Sequence, residues 1–391
     1  MGRTDDAVPA GGFTPHWAMP AIRVGIREVR SLSVAAMPVA ASRSPHEGTW
    51  RLTCTAQCPR PVVHERPVTT VPCSAVPPVA TPRRAARRLR GAVRDAIRYS
   101  IEGALRTRAG LAAVNRLHQA LSLAQKRRFY YLSLDLPCRA AGPWTVSFAG
   151  RRLVLPLHPD FDFGWMAATA FHGYETEVHE LYEALLRGPR RPRVFFDVGA
   201  NYGLHSLKFL VHGVRVVSFE PNVACHPFFL ACCRRNGVVP DLRPVAIGAG
   251  AGEARLWVPT GQTWLGTTVE RVAHTWGDDG VDTLSVCQTS LDEVVRRDGL
   301  TPDLVKIDTE GSELSVLTGA DETLRRARPL LILESSPKRQ GRRALFDLLS
   351  SYDYHLHALQ FAEPRSPALA LDAFERSDAS NFVARPAVRP A

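Results

Sequence analysis

Short apolar runs alternate with stretches of helical spacing over the second half of the chain. Helical stretches follow Asn201, Asn222 and Ser312, and another covers residues 342–350. Near-continuous apolar strands between helices indicate a parallel sheet covered on both faces. The pattern therefore predicts a Rossmann-like, doubly wound α/β domain over residues 171–391. Its strands are expected at VFFDV (194–198), VRVVSF (214–219), LRPVAI (242–247), DLVKID (303–308), PLLILE (329–334) and YHLHAL (354–359).

The segment in front of this alternation has a different pattern. Apolar residues flank Gly150 between Trp144 and Leu157, which predicts a β-hairpin. The run TEVHELYEALLRGP then has helical spacing and ends at Gly188-Pro189. We expect residues 83–170 to form a helical and hairpin accessory region.

An amphipathic helix with a basic face is predicted over residues 84–106. Its apolar side chains recur every four residues, at Leu89, Val93, Ile97, Ile101 and Leu105. Its arginines are Arg87, Arg88, Arg90, Arg94 and Arg98. We favour a helix that packs on the core with a solvated arginine face, and docking to an anionic membrane surface or to nucleic acid is the alternative.

Composition separates the front of the chain from the rest. Residues 1–82 hold twelve of the 30 prolines and show little periodicity, so we expect this segment to be disordered. Residues 1–128 carry 21 Lys and Arg against 7 Asp and Glu, whereas the remainder carries 28 against 31. The net charge of +11 therefore belongs to the front, and it does not argue for nucleic-acid binding by the α/β domain.

The other bulk features exclude several classes of protein. The eight cysteines follow no framework spacing, which favours a reduced, cytoplasmic protein. No second Cys/His pair follows Cys54 and Cys58 at finger-like spacing, so no metal site is expected. No run of about 18 apolar residues occurs, and a transmembrane helix is therefore not expected.

A glycine-rich turn follows the first strand of the α/β domain. Glycines let the backbone approach a ligand closely, and the helix that follows offers free N–H groups. Gly199 and Gly203 stand four apart with Asn201 between them, which departs from the G-x-G-x-x-G spacing of dinucleotide-binding folds. Asp197 would repel a pyrophosphate but attract the amino group and sulfonium of S-adenosylmethionine (SAM). The turn therefore favours SAM over a dinucleotide as the cofactor.

A second acid closes the neighbouring strand. At the position of Glu220, an acidic side chain accepts hydrogen bonds from ribose hydroxyls in this architecture. Asn222 either adds a contact to the cofactor or caps the next helix. We expect Asp197 and Glu220 to face one shared cleft.

Three motifs together resemble the FkbM family of methyltransferases. FFDVGANYGLHS resembles the first motif of the family, SFEPN the second, and VKIDTEGSELSVLTGA the most characteristic one. TSLDEVV (289–295) and RPLLILE (328–334) fall in the same order as in the family. The resemblance extends from near Gly173 to near Arg385 and leaves the front of the chain unexplained.

The resemblance implies a class I, SAM-dependent O-methyltransferase that acts on a hydroxyl of a sugar or of a secondary-metabolite-like small molecule. By motif matching, it assigns cofactor binding to Asp197, Gly199, Asn201, Gly203 and Glu220. It places Asp308 and Glu310 at the mouth of the fourth strand, where methyl donor and acceptor meet.

Deprotonation of an alcohol acceptor calls for a general base. Asp308 and Glu310 rank first among the candidates, because they end a core strand at the cofactor edge. Two carboxylates two residues apart in an extended segment would also point the same way. His205, in the first turn after the glycine loop, and Glu334 are further candidates. Lys306 lies inside an apolar strand, so we expect a structural ion pair with an acid such as Glu334.

Two questions stay open at this level. The basic front could anchor the chain to RNA, although no aromatic stacking pattern accompanies the arginines. Acceptor specificity is expected to depend on residues 84–175 and on residues 259–282, where TGQTWLGTTVE mixes polar and aromatic side chains.

Overall fold

The computed structural model describes residues 41–43, 50–52, 82–158, 160–161, 163–189, 191–277, 280–336, 341–360 and 367–387. Strands β1 (Ala41–Arg43) and β2 (Trp50–Leu52) form a short antiparallel pair. The rest of the segment that we expected to be disordered, up to residue 81, lies outside the described residues.

Helices and one hairpin precede the first strand of the central sheet. The helices are α1 (Pro82–Ala104), α2 (Arg108–Ala120), α3 (Leu123–Ser133), α4 (Gly164–Gly173) and α5 (Thr176–Arg187). The predicted hairpin is confirmed as β3 (Gly142–Phe148) and β4 (Arg151–Leu157), joined at Ala149 and Gly150. Both turn residues have positive φ, 44° and 83°, and such a turn matches the right-handed twist of the two strands.

Seven strands form the central sheet, in the order β13-β14-β12-β11-β5-β6-β7. Neighbours from β12 to β7 pair in parallel, whereas β14 is antiparallel to both of its neighbours. The doubly wound α/β fold is confirmed. The strands are β5 (Val194–Val198), β6 (Arg215–Phe219), β7 (Asp241–Arg243), β11 (Leu304–Ile307), β12 (Leu330–Glu334), β13 (Tyr354–Ala358) and β14 (Asn381–Pro386).

Helices connect the strands of this sheet on both faces. The predicted helices after Asn201, Asn222 and Ser312 and around residues 342–350 are confirmed. The connecting helices are α6 (Leu204–Leu210), α7 (His226–Arg235), α8 (Glu270–Ala273), α9 (Leu291–Asp298), α10 (Glu313–Thr318), α11 (Arg342–Ser351) and α12 (Leu371–Arg376).

The strand expected over residues 242–247 is divided in two. Its first part belongs to β7 in the central sheet, and its second part is β8 (Ala246–Ile247). Proline has no N–H to donate to a sheet ladder, and Pro244 stands at the break. Strand β8 instead joins a small sheet with β9 (Gly252–Pro259) and β10 (Val281–Thr289).

The hydrophobic core lies on both faces of the central sheet. Successive residues of β5 alternate between the two faces, since Phe195 belongs to one buried cluster and Phe196 to the other. The cluster around Phe195 also contains Trp144 of the hairpin and Phe171 of α4. The accessory region therefore shares its core with one face of the sheet.

Helix α1 departs from the packing that we favoured. Its apolar row reaches the core at Ile101 and Leu105, but Leu89, Val93 and Ile97 are exposed. A spacing of four residues advances the row by about 40° per step around a helix of 3.6 residues per turn. The row therefore winds from the core to the solvent, and one packed surface does not cover all of it.

Asn115 on α2 holds the helix to the hairpin. Its side chain donates to the Thr145 carbonyl and accepts from the Thr145 N–H, both at 2.9 Å, and both partners are buried. We predict that Asn115→Ala lowers the free energy of unfolding by about 2–4 kcal/mol, because two buried backbone groups lose their partners. Urea unfolding measures this change, with the exposed neighbour Arg116→Ala as the control. Equal stability of the two variants would contradict the prediction.

Candidate active site

The glycine loop lies between the ends of β5 and β11. Gly199, Asn201 and Gly203 all have positive φ, at 79°, 53° and 71°. A Cβ atom on Gly199 would lie 1.8 Å from the Asp308 carbonyl oxygen, and one on Gly203 would lie 2.1 Å from the Phe229 ring. Glycine is required at both positions, because the backbone conformation and the close approach each exclude a side chain.

Glu220 clamps this loop to the end of β6. Its carboxylate accepts from the Asn201 N–H and from the Asn222 N–H, each at 2.7 Å. Burial raises the pKa of Glu220 to about 7, and repulsion by Asp197 and Asp308 adds to the shift, although the two backbone N–H donors oppose it. Glu220 also lines the pocket that opens here.

Residues 262–268, which we call the strap, cover one side of this pocket. On the cofactor side, Asn201 Nδ2 donates to the Trp264 carbonyl at 2.8 Å and Asn222 Nδ2 to the Thr263 carbonyl at 2.9 Å. On the opposite side, Thr267 Oγ1 donates to the Glu310 carbonyl at 2.9 Å. The strap belongs to the segment that we expected to influence specificity.

The strap has a second bond to the loop after β11. The Thr268 and Ser312 hydroxyls lie 2.6 Å apart, and both residues line the pocket.

The Asn222 side chain makes a second contact besides its bond to the strap. Its Oδ1 accepts from the Ala224 N–H at 3.2 Å and so caps the helical turn that follows. The cap expected of Asn222 is therefore present, and Asn222 also lines the pocket.

The loop after β11 brings Asp308 and Glu310 to the pocket wall. Glu310 has a φ of 56°, so the segment is not extended as we expected. The Glu313 carboxylate holds this conformation by accepting from the Thr309 N–H at 3.2 Å and from the Gly311 N–H at 2.9 Å. The two acids meet because the loop turns, and not because of a strand repeat.

Asp308, Glu310 and Glu334 form a carboxylate cluster, with one oxygen of each within 4.8 Å of the others. The proximity of the three acids makes proton exchange among them feasible. Oxygen clusters of this kind also suit a divalent cation, whereas the sequence analysis assigned no metal.

Lys306 supplies a buried positive charge beneath this cluster. Lys306 is 1 % exposed, and its ammonium donates to Asp308 Oδ2 at 2.6 Å. The expected structural ion pair is therefore present. Its acid is Asp308, which directly follows β11, whereas we had named Glu334 as an example.

Asp197 does not face the pocket as we expected. It is fully buried, and its Oδ2 accepts from the Ser206 hydroxyl on α6 at 2.6 Å. Phe195 and Asp197 lie on the same face of β5, so the Asp197 side chain points towards α6, beneath the loop. Among the acids of the first two motifs, only Glu220 lines the pocket.

His205 is also absent from the pocket lining. Its Nε2 lies 3.2 Å from Glu175 Oε2, and its Nδ1 lies 3.2 Å from the Tyr182 hydroxyl. Burial and the charge of Lys306 lower the pKa of His205, whereas Glu175 opposes the shift. The geometry therefore makes His205 a partner of Glu175 behind the site, and direct contact with an acceptor is not supported.

Glu175 is a site residue that the sequence analysis missed. It is buried and has a φ of 46°, a strained conformation for a residue other than glycine. Burial alone would raise its pKa, but Lys306 and His205 outweigh this effect and bring the pKa to about 2. No motif marks Glu175 in the sequence, and its positive φ is visible only in the folded chain.

The charge of the pocket decides which ligand fits it. Three carboxylates line it, those of Glu220, Asp308 and Glu310, and none of the described residues in its lining is Lys, Arg or His. A pyrophosphate would be repelled, whereas a sulfonium and an ammonium are attracted. The donor set, together with a loop that lacks side chains where a ligand approaches, fits SAM.

Residues 197–363 match the family model of the methyltransferase FkbM domain. The chain contains a methyltransferase FkbM domain, for which SAM is the methyl donor. Its central sheet has the doubly wound α/β fold that we expected of a class I methyltransferase. No curated protein matches the sequence.

Several solved structures resemble the chain at low identity. A methyltransferase FkbM from Methylobacillus flagellatus KT is 16 % identical, with a TM-score of 0.33, over 59 % of this chain and 56 % of that chain. A SAM-dependent methyltransferase from Agrobacterium tumefaciens is 12 % identical, with a TM-score of 0.35, over 64 % and 72 % of the two chains. The protein thus spans little more than half the length of the FkbM structure.

The described helices include none with the length and apolar character needed to cross a membrane.

The raised pKa of Glu220 predicts that SAM binding depends on pH. Ribose hydroxyls and the sulfonium both favour the ionised carboxylate, so binding lowers its pKa from about 7 and releases a proton. As the pH falls through about 7, SAM affinity should fall, by at most about tenfold per pH unit. Calorimetry in buffers of different ionisation enthalpy measures the proton release. Glu220→Gln should bind more weakly and without proton release; an unchanged pH profile in this variant would contradict the assignment.

Proposed function

We propose that the protein transfers the methyl group of SAM to a hydroxyl oxygen of a sugar or of a secondary-metabolite-like small molecule. The observation that carries this proposal is the carboxylate cluster of Asp308, Glu310 and Glu334 beside the glycine loop. An alcohol acceptor must lose a proton during transfer, and carboxylates within hydrogen-bond reach serve that step.

Two elements would hold the cofactor directly. The glycine loop supplies Gly199, Asn201 and Gly203, and the end of β6 supplies Glu220 and Asn222. Asp197 acts from beneath the loop, where it binds Ser206 and contributes negative charge. We assign Glu220 to the ribose hydroxyls, since its oxygens are already turned towards donors at the pocket wall.

When bound, SAM supplies a methyl carbon from which sulfur departs as an acceptor oxygen attacks in line. The residues of the chain contribute position and proton transfer. Holding two reactants in line is worth about 7–11 kcal/mol of the barrier. Lys306 orients Asp308 through one carboxylate oxygen, and Glu310 and Glu334 lie within reach to accept or share the proton. Glu175 and His205 hold this arrangement from behind.

The polar surroundings of the cluster favour a hydroxylated acceptor. Tyr174 directly follows α4 and brings a phenol close to the carboxylates of Glu175, Glu334 and Asp308. The strap adds Thr268 and Trp264 to the pocket wall. Hydroxyl and carboxylate groups beside an indole suit a sugar-like ring, with its polar edge and apolar face.

Labelled methyl transfer tests the function. Purified enzyme and methyl-labelled SAM are incubated with pools of sugars and secondary metabolites, and labelled products are identified by mass spectrometry and NMR. Methyl ethers are the expected products. Products methylated only on nitrogen or carbon would contradict the proposal, as would the absence of SAM binding by the folded protein.

Removing a base slows the methyl-transfer step itself. We predict that Asp308→Asn and Glu310→Gln each lower kcat by about 100-fold to 10,000-fold, with SAM affinity near that of the wild type. The exposed acid Glu322→Gln is the control. Asp308→Asn also removes the partner of Lys306, so its folding is checked by calorimetry.

The outcomes of this comparison separate the roles. Wild-type kcat in Glu310→Gln with an inactive Asp308→Asn would assign the base to Asp308. Full activity in both variants would overturn the base assignment. Dialysis against a chelator should leave activity unchanged, and a loss that Mg²⁺ restores would assign the cluster to a metal instead.

A second candidate function, an RNA-associated methyltransferase, is favoured by a basic groove between α2 and the hairpin. This groove of about 820 Å³ is lined by Arg108, Arg116, Arg152 and Arg235, and the described part of its lining contains no Asp or Glu. Among the same described residues, His158 is the one ring on which a base could stack, so the small-molecule acceptor is the stronger proposal.

The RNA candidate predicts salt-dependent binding. Fluorescence anisotropy with a single-stranded RNA should then give an affinity that falls steeply with salt, and Arg108→Gln combined with Arg116→Gln should weaken it. Arg326→Gln is the control, because Arg326 is exposed and is not among the described groove residues. Negligible binding at low salt would remove this candidate.

We also propose a cytoplasmic location. Cysteines 138, 225, 232, 233 and 287 are all free thiols, as a reducing compartment would keep them.

A further inference from the structure

The apolar row of α1 lies uncovered at its N-terminal end. Leu89 is 67 % exposed, Val93 51 % and Ile97 45 %, whereas Ile101 is partly buried and Leu105 is fully buried. A helix gains most of its stability from packing of its apolar side. Three consecutive members of the row have no such cover in the part of the chain that the structure describes.

The opposite side of the helix is fixed to the protein. Arg98 binds Asp135 through two bonds, at 2.9 and 2.8 Å, and donates to the Leu132 carbonyl at 2.5 Å. With 3.6 residues per turn, Arg98 stands about 140° around the helix from Val93. The contacts of Arg98 and Leu105 therefore direct the row from Leu89 to Ile97 away from the body of the protein.

Positive charge flanks the exposed row. Arg90 and Arg94 are exposed. Asp95 pairs with Arg94 at 3.4 Å, in an exposed setting where an ion pair contributes little. The sequence of residues 82–88, which begin the same helix, adds four arginines and no acid. The uncovered part of α1 thus combines an apolar row with a strongly basic border.

This combination selects one kind of partner. A second copy of the chain would cover the row, but it would also bring two arginine borders together. RNA would bind the arginines and leave the apolar row in water. An anionic bilayer matches both the apolar row and the basic border, because the apolar side chains enter the acyl boundary while the arginines bind lipid phosphates. We propose that α1 docks the enzyme on an anionic lipid surface through Leu89, Val93 and Ile97.

Vesicle flotation of the full-length protein tests the proposal. Vesicles of phosphatidylcholine that contain phosphatidylglycerol should carry the wild-type protein, vesicles of pure phosphatidylcholine should not, and added salt should weaken binding. The triple variant Leu89→Ser, Val93→Ser and Ile97→Ser should bind at least about tenfold more weakly, since each apolar side chain loses its buried environment. Its SAM affinity should equal that of the wild type, which shows an intact fold.

Matched variants complete the design. Leu117→Ser combined with Val239→Ser removes two equally exposed apolar side chains elsewhere and should leave vesicle binding unchanged. Arg90→Gln combined with Arg94→Gln should weaken binding to anionic vesicles and reduce its salt dependence.

Three outcomes would overturn the proposal. The first is a wild-type protein that stays unbound with anionic vesicles at low salt. The second is a serine triple variant that floats like the wild type. The third is a dimeric wild type that the triple variant converts to a monomer, since that result assigns the row to a second copy of the chain.

Discussion

The buried ammonium of Lys306 is the interaction on which the site depends. Burial lowers the pKa of this ammonium, but Asp308, Glu175 and Asp197 outweigh that effect and raise it. These three acids come from the loop after β11, the start of α5 and strand β5, so one cation connects three separate elements. Removal of a buried charge leaves its partners uncompensated and is strongly destabilising. The carboxylates can be concentrated beneath the pocket only because Lys306 lies among them.

Carboxylates also lie in the wall of the pocket itself, those of Glu220, Asp308 and Glu310. Burial raises the pKa of Glu220, and repulsion by Asp197 and Asp308 adds to the shift, because both disfavour the ionised form. A cationic cofactor relieves this repulsion as it binds. The same repulsion therefore favours a cationic cofactor and makes its binding depend on pH.

The strap joins the cofactor side of the pocket to the acceptor side. Its carbonyls bind Asn201 and Asn222, while its threonines bind the loop of Glu310 and Ser312. The strap therefore connects the glycine loop and the end of β6 with the loop after β11, through its backbone carbonyls on one side and its threonine hydroxyls on the other. The carbonyl bonds depend on the backbone path, which residue identity alone does not reveal.

The central strands were predictable because burial on both faces gives continuous apolar runs. The predicted bounds of β5 are those of the structure. The strands predicted at 214–219, 303–308, 329–334 and 354–359 differ from the observed ones by no more than one residue at either end. The loops were predictable through Gly199, Gly203 and Glu220, whose residue types are tied to backbone shape and charge. The position of β14 between β12 and β13 was not predictable, because the order of strands in a sheet is not visible in the local sequence pattern. Asp197 could have been placed correctly from its alternation with Phe195.

In helix α1, the spacing of the apolar residues determines which side of the helix they occupy as well as the helix itself. Its spacing of four residues was enough to predict a helix, yet a packed stripe requires an average spacing near 3.6. The difference turns the row by about 160° between Leu89 and Leu105. The apolar row therefore faces the core at the C-terminal end of the helix and the solvent at its N-terminal end. The spacing itself therefore explains why half of the row is exposed. The proposed lipid surface would cover that half.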